Sequence, residues 1–256
     1  MNFRILLSRT GIAACFSLSV LAVESPSIDE LIKKGVAYDE RFDAKNALKY
    51  YEDAEKLDPK NAEVLVRIAR RYRYMLADAP SKSEKLRLGH IALEYSERAV
   101  KAGLDNPEAQ ISTAISYGKM LPYMSSKEQV EATARIKESV DRTLALNPRD
   151  DTAWHILGRW NRVLADINGL KRFLAGAVYG KLPKGSNEQA ETCLLKAISI
   201  NPHRLMHYVE LGGVYAQMGR KVEARQCIDK ALAMPDREKD DPETKERGRE
   251  ALRSLD

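Results

Sequence analysis

Cysteine, histidine and the large aromatics are scarce in this 256-residue chain, which has three Cys, four His, two Trp and four Phe. A disulfide framework needs an even set of cysteines, and a structural zinc site needs Cys and His in clusters; neither pattern occurs. There is no glycine-rich phosphate loop and no Cys cluster, so no cofactor, metal ion or catalytic residue is expected and the chain is not expected to be an enzyme. Asp150-Asp151 and Asp240-Asp241 sit where helices should begin, and the helix dipole accounts for them. His203 and His207 could share one helix face, but no third ligand accompanies them. The net charge of +5 is too weak a global field to point to nucleic acid.

Acidic residues are also missing before Glu24. Within this stretch Arg4 and Arg9 precede an apolar run from Gly11 to Val23, shorter than the roughly 20 residues a spanning helix needs. Val20-Leu21-Ala22 has the small-residue pattern of a signal cleavage site. Residues 1–22 are therefore read as a targeting segment and 23–256 as one domain, exported to a periplasm or secretory lumen. A mitochondrial presequence and an uncleaved cytoplasmic chain are the alternatives. Cleavage would remove Cys15 and leave Cys193 and Cys227 on neighbouring helices. Helix axes about 8–10 Å apart disfavour a disulfide there, so two buried free thiols are expected.

What the chain has is repetition. Leu57-Asp58-Pro59, Asp105-Asn106-Pro107, Leu146-Asn147-Pro148, Ile200-Asn201-Pro202 and Ala233-Met234-Pro235 read as five helix ends closed by proline, whose missing N–H and steric effect on the preceding residue stop a helix. Counting back from Pro59 gives Ala54, Tyr51, Ala47, Tyr38, Gly35 and Leu31. Around Pro202 the same pattern gives Ala190, Leu194 and Ala197, then Tyr208, Leu211, Gly212, Tyr215, Ala224, Ile228 and Ala231. These are the signature spacings of a tetratricopeptide repeat, a two-helix unit of about 34 residues in which small residues let paired helices approach and large ones fill the space between. The fold class is thus all-α: a tetratricopeptide-like helical-repeat solenoid of about five helix pairs plus a C-terminal capping helix.

The prolines are unevenly spaced, and the surplus residues are expected in loops at about 77–83, 122–127 and 166–186. Capping boxes are read at Ser27-x-x-Glu30, Ser81-x-x-Glu84, Ser126-x-x-Gln129 and Ser186-x-x-Gln189. Asp241 is read as the N-cap of the last helix, with Pro242 as its first residue. Trp154 falls at a core position, and Trp160 is expected against the insertion that follows.

Such arrays bind partners along the face formed by the first helix of each pair. Unit two presents Arg70, Arg73 and Tyr74 there, and unit four presents His155, Arg159 and Arg162. Guanidinium forks suit carboxylate or phosphate, so the candidate ligand is an acidic peptide or protein segment. The competing reading is that these arginines pair internally, with Glu63, Asp78 or Asp166.

A family resemblance rests on Trp154-His155-Ile156-Leu157-Gly158-Arg159-Trp160, Gly180-Lys181-Leu182-Pro183, Leu195-Lys196-Ala197 and the closing Asp240-Asp241-Pro242-Glu243-Thr244. Over Asp150 to Leu255 the chain resembles the regulator of microtubule dynamics family. The resemblance implies a non-catalytic repeat scaffold whose partners would include tubulin or microtubules. It also implies an alternative, lipid or small-ligand binding and membrane tethering, through the apolar insertion 166–186.

Overall fold

The computed structural model describes residues 26–167, Gly176 and residues 183–255. The targeting segment 1–22 and most of the insertion 166–186 lie outside the described residues. Within them the chain forms eleven α-helices and one 3-10 turn, without a strand. The helices are α1 Ile28–Asp39, α2 Ala44–Leu57, α3 Ala62–Asp78, α4 Lys82–Ala102, α5 Pro107–Met120, α6 Ser126–Leu146, α7 Asp151–Ala165, α8 Asn187–Ile200, α9 Leu205–Gln217, α10 Lys221–Ala233 and α11 Asp241–Arg253. Five antiparallel pairs, from α1/α2 to α9/α10, stack in chain order, and α11 packs on α9 and α10.

The pairs are held by small-against-large packing. Buried Ala47, Tyr51 and Ala54 of α2 meet Leu31 of α1 and Val64 and Ile68 of α3. A Cβ on Gly35 would lie 2.4 Å from the Tyr51 ring, one on Gly158 2.6 Å from Leu194 Cγ, and one on Gly212 2.5 Å from Ile228 Cγ1. Glycine at these places is what allows the two helices of a pair to touch. At the far end, Leu255 is buried with Leu211, Val214 and Ala224, so the terminal segment covers the apolar edge that a solenoid otherwise leaves open.

Several local expectations are corrected. Pro107 does not end a helix: α4 closes at the C-cap Gly103, and Pro107 is the first residue of α5 behind the N-cap Asn106, where a missing N–H costs nothing. The surplus residues of units two and three lengthen helices rather than loops, since α4 and α6 each have 21 residues against 14 in α2. The capping box of α6 belongs to Ser125 and Glu128, one residue earlier than expected, while that at Ser27 is as read. Asp240 is the N-cap of α11; Asp241 lies inside the helix, its buried carboxylate accepting from the Arg237 and Glu238 N–H groups at 2.8 Å. Trp160, not Trp154, joins the core of unit three, its Nε1 donating to the Thr133 carbonyl at 3.2 Å. Trp154 instead braces the α6–α7 turn through the Pro148 carbonyl. Six residues separate the two rings, which puts them on different helix faces. Cys193 and Cys227 are both free, the first buried and the second half-buried.

Candidate functional site

The first helices of the pairs carry most of the buried polar chemistry among the described residues. On α3, Arg70, Arg71 and Arg73 project in three directions. Arg70 is exposed and makes no hydrogen bond or ion pair among the described residues. Arg71 is buried; its Nη1 donates to Asp39 of α1, which also accepts from the Tyr51 hydroxyl at 2.7 Å. Burial raises the Asp39 carboxyl despite the guanidinium beside it, and burial with the Asp39 bond pushes the Tyr51 hydroxyl up to about 12.

Arg73 lies on the floor of the site rather than on its surface, 4% exposed. Its Nη1 donates to the hydroxyls of Ser112 at 2.9 Å and Ser116 at 3.0 Å, and both hydroxyls also meet Ser96 at 3.0 Å. Burial pushes the Arg73 guanidinium down to about 9, still cationic at neutral pH; Asp240, far along the chain, is the carboxylate whose field favours its charge. Tyr74 lies under the Arg71 guanidinium, 4.6 Å from ring centre to Cζ, with Lys239 Nζ at 6.0 Å.

On α7, Arg162 Nε donates to Glu210 Oε1 of α9 at 2.7 Å, and Arg159 Nη1 reaches Glu210 Oε2 at 3.5 Å. Burial by itself would raise this carboxyl, but Arg159 and Arg162, helped by Arg247, bring it below the usual range. Two guanidiniums therefore share one carboxylate, and the spot keeps net positive charge. Arg162 also lies over Gly213, where a Cβ would stand 3.6 Å from its Cζ, an ordinary contact.

His155 does not reach the solvent-exposed face of α7. It is buried between α7 and α9, its Nδ1 3.2 Å from His207 Nδ1, while His207 Nε2 lies 3.0 Å from Asp151 Oδ2. A carboxylate only accepts, so His207 carries its proton on Nε2 and the shared Nδ1 proton belongs to His155. Burial is the main reason both imidazoles titrate low, well below the ordinary value for His155. Arg204 completes the network, bonding Asp151 at 3.0 Å and Thr152 at 2.6 Å. His203 stays exposed in the turn before α9, away from His207, whose imidazole neighbour is His155 on α7. Among the described residues no group of three or more His, Cys, Asp or Glu could hold a metal ion.

The sequence missed the partners contributed by the end of the chain. The segment 235–240 between α10 and α11 reaches α3 and α5: Lys239 Nζ pairs with Asp78 at 2.6 Å, and Lys119 Nζ with Asp240 at 2.6 Å. Glu238 lies 3.8 Å from Arg204. The Asp240 field is felt by Arg73, Tyr74 and Arg247 alike, so this segment lies close to the groups read from unit two. Of the three acids suggested as internal partners, Asp78 takes Lys239 and Glu63 takes Arg67. Of the arginines read for this face, Arg159 and Arg162 find Glu210 instead, and Arg73 finds the Ser112 and Ser116 hydroxyls.

A family model for regulator of microtubule dynamics protein 1-3 matches residues 27–256. The chain is 27% identical over 200 residues to regulator of microtubule dynamics protein 1 of Bos taurus, covering 77% of this chain and 63% of the relative. It is 26% identical over 183 residues to regulator of microtubule dynamics protein 3 of Xenopus laevis, covering 71% of this chain and 40% of that one. The match thus spans less than two thirds of either relative. Among solved structures, a thermophilic TPR protein of Thermus thermophilus superimposes with a TM-score of 0.62 at 20% identity, covering 88% of this chain and 99% of the other. That similarity concerns the fold.

Proposed function

Because this chain belongs to the regulator of microtubule dynamics protein 1-3 family, we propose that it is a non-catalytic scaffold whose inner face binds an acid-rich protein segment. The observation that carries this reading is the charge imbalance of the inner face. Arg70 is exposed without a bonded acid among the described residues, and Arg159 and Arg162 divide one carboxylate between them. A ligand carboxylate would meet half-exposed guanidiniums already held in place by Glu210, so little side-chain entropy is lost on binding. Tyr74 adds an aromatic surface on α3, the helix that carries Arg70. Arg73 and His155 support the site from below: the serine cluster holds one, and the α7–α9 contact holds the other.

The names of the relatives make microtubules the first partner to try. Binding through arginine should weaken steeply as salt rises, because exposed charges are screened beyond about 8 Å at physiological ionic strength. Co-sedimentation with microtubules at low and high salt tests the reading. Retention that is indifferent to salt would remove the arginine face from the explanation.

A further inference from the structure

Five of the eight residues from Asp236 to Glu243 are acidic, two are basic and one is proline. Such a stretch would ordinarily be solvated. Here its first part lies against the inner face, with Lys239 on Asp78, Asp240 on Lys119, Glu238 beside Arg204 and Lys239 near the Tyr74 ring. The contacts join residues 121 and 161 positions apart, so they are not by-products of local chain geometry. The segment is shaped from behind as well: Asp241 accepts from the backbone N–H of Arg237 and Glu238, and Lys245 binds Asp236 and the Met234 carbonyl, each at 2.6 Å. The backbone is thus held in a turn that aims Glu238 and Asp240 inward.

We infer that residues 235–240 act as a built-in competitor for the inner face, their carboxylates standing where those of an acid-rich partner would go. The inference rests on the acid-binding role proposed above and adds its regulation. The segment resembles the partner chemically, and its contacts are few and mostly charged, so it can be displaced. Two partly exposed ion pairs are worth little individually. Strong enough to occupy the site and weak enough to leave, they would set a threshold: an acidic partner binds with its intrinsic affinity multiplied by the fraction of molecules in which the segment is unseated.

Lys239→Ala gives the cleanest test, because simple electrostatics and competition predict opposite signs. Removing a cation should weaken attraction for an anionic peptide. Releasing the segment should strengthen it, by about 2- to 5-fold for one such ion pair. The probe is a fluorescein-labelled octaglutamate peptide, read by anisotropy with the full chain, while amide hydrogen exchange over residues 235–241 reports whether the segment has been released. The charge-swapped Asp78→Lys/Lys239→Asp variant, with unchanged net charge, should return both readouts towards those of the natural chain. Tighter binding by Lys239→Ala with faster exchange, reversed by the swap, supports the inference. Equal or weaker peptide binding with faster exchange overturns it while leaving the acid-binding role intact. Unchanged exchange means that the Lys239–Asp78 pair does not seat the segment, and also overturns it. If the peptide binds neither form although exchange shows release, the acid-binding role itself fails and the competitor with it.

Discussion

Nδ1 of His155 on α7 and Nδ1 of His207 on α9 face each other at 3.2 Å, with a single proton between them and Asp151 anchoring the far side of His207. Protonating the second nitrogen would turn His207 into a cation and set two N–H donors against each other in a buried seam that already contains Arg159, Arg204 and Arg247. The pair is therefore a joint between units four and five that holds only while the imidazoles are neutral.

Stability should fall as pH drops from about 6.5 towards 5. Both folded imidazoles titrate below the ordinary value of 6.5, so in that window the unfolded chain binds more protons, and each extra proton costs about 1.4 kcal/mol per pH unit. Asp151 and Glu210, held below their ordinary 3.8 and 4.5, add their loss only at lower pH. Urea midpoints measured between pH 7.5 and 5 should show the slope. In His155→Asn, which keeps a donor towards His207, the slope should flatten; an equal slope in that variant would place the pH sensitivity elsewhere.

Asp39→Asn should destabilise the chain by about 3–5 kcal/mol, because it strands the Arg71 guanidinium, 2% exposed, without its carboxylate. Denaturant unfolding followed by circular dichroism measures this. A loss below about 1 kcal/mol would mean that water or Tyr74 compensates the charge.

Arg70 and Glu210 should separate binding from folding. Arg70→Glu removes an exposed cation with no bonded partner among the described residues, and should weaken acid-peptide binding several-fold while leaving the melting temperature within a degree or two, as surface substitutions do. Glu210→Gln frees Arg159 and Arg162 from their shared carboxylate; acid-peptide binding should tighten while stability falls. If Arg70→Glu binds like the natural chain, the ligand does not pass over α3.

Gly158→Ala and Gly212→Ala should each cost about 1–3 kcal/mol, because the new methyl would sit 2.6 Å from Leu194 and 2.5 Å from Ile228, with the carbonyls of Ala190 and Ala224 close behind. Thermal melts decide it. Gly118→Ala, where nothing lies within 4 Å, is the control and should be neutral or slightly stabilising.

Removal of residues 1–22 as a signal is proposed from Arg4, Arg9, the apolar run and Val20-Leu21-Ala22. Intact mass and N-terminal sequencing of the protein made in its own cell should find Val23 first. An intact Met1 would return the chain to the cytoplasmic alternative.

What the sequence by itself determined was the local architecture: the helices, their pairing and the terminal cap. Those follow from interactions within a turn or two of helix, such as Ser27 with Glu30, proline after Asp58 and the Gly35–Tyr51 contact inside one hairpin, all written at fixed short spacings. Its local errors were also of short range, since Pro107 and Ser126 each suit two neighbouring cap positions equally well. Only the tertiary structure decided which cations remain available. Arg159 and Arg162 meet Glu210 across 51 and 48 residues, His155 meets His207 across 52, and Lys239 reaches Asp78 across 161. No spacing rule encodes these pairings, because they depend on how successive units rotate about one another and on where that rotation brings the end of the chain. A repeat pattern specifies that an inner face exists; stacking of the units determines which of its charges are already taken.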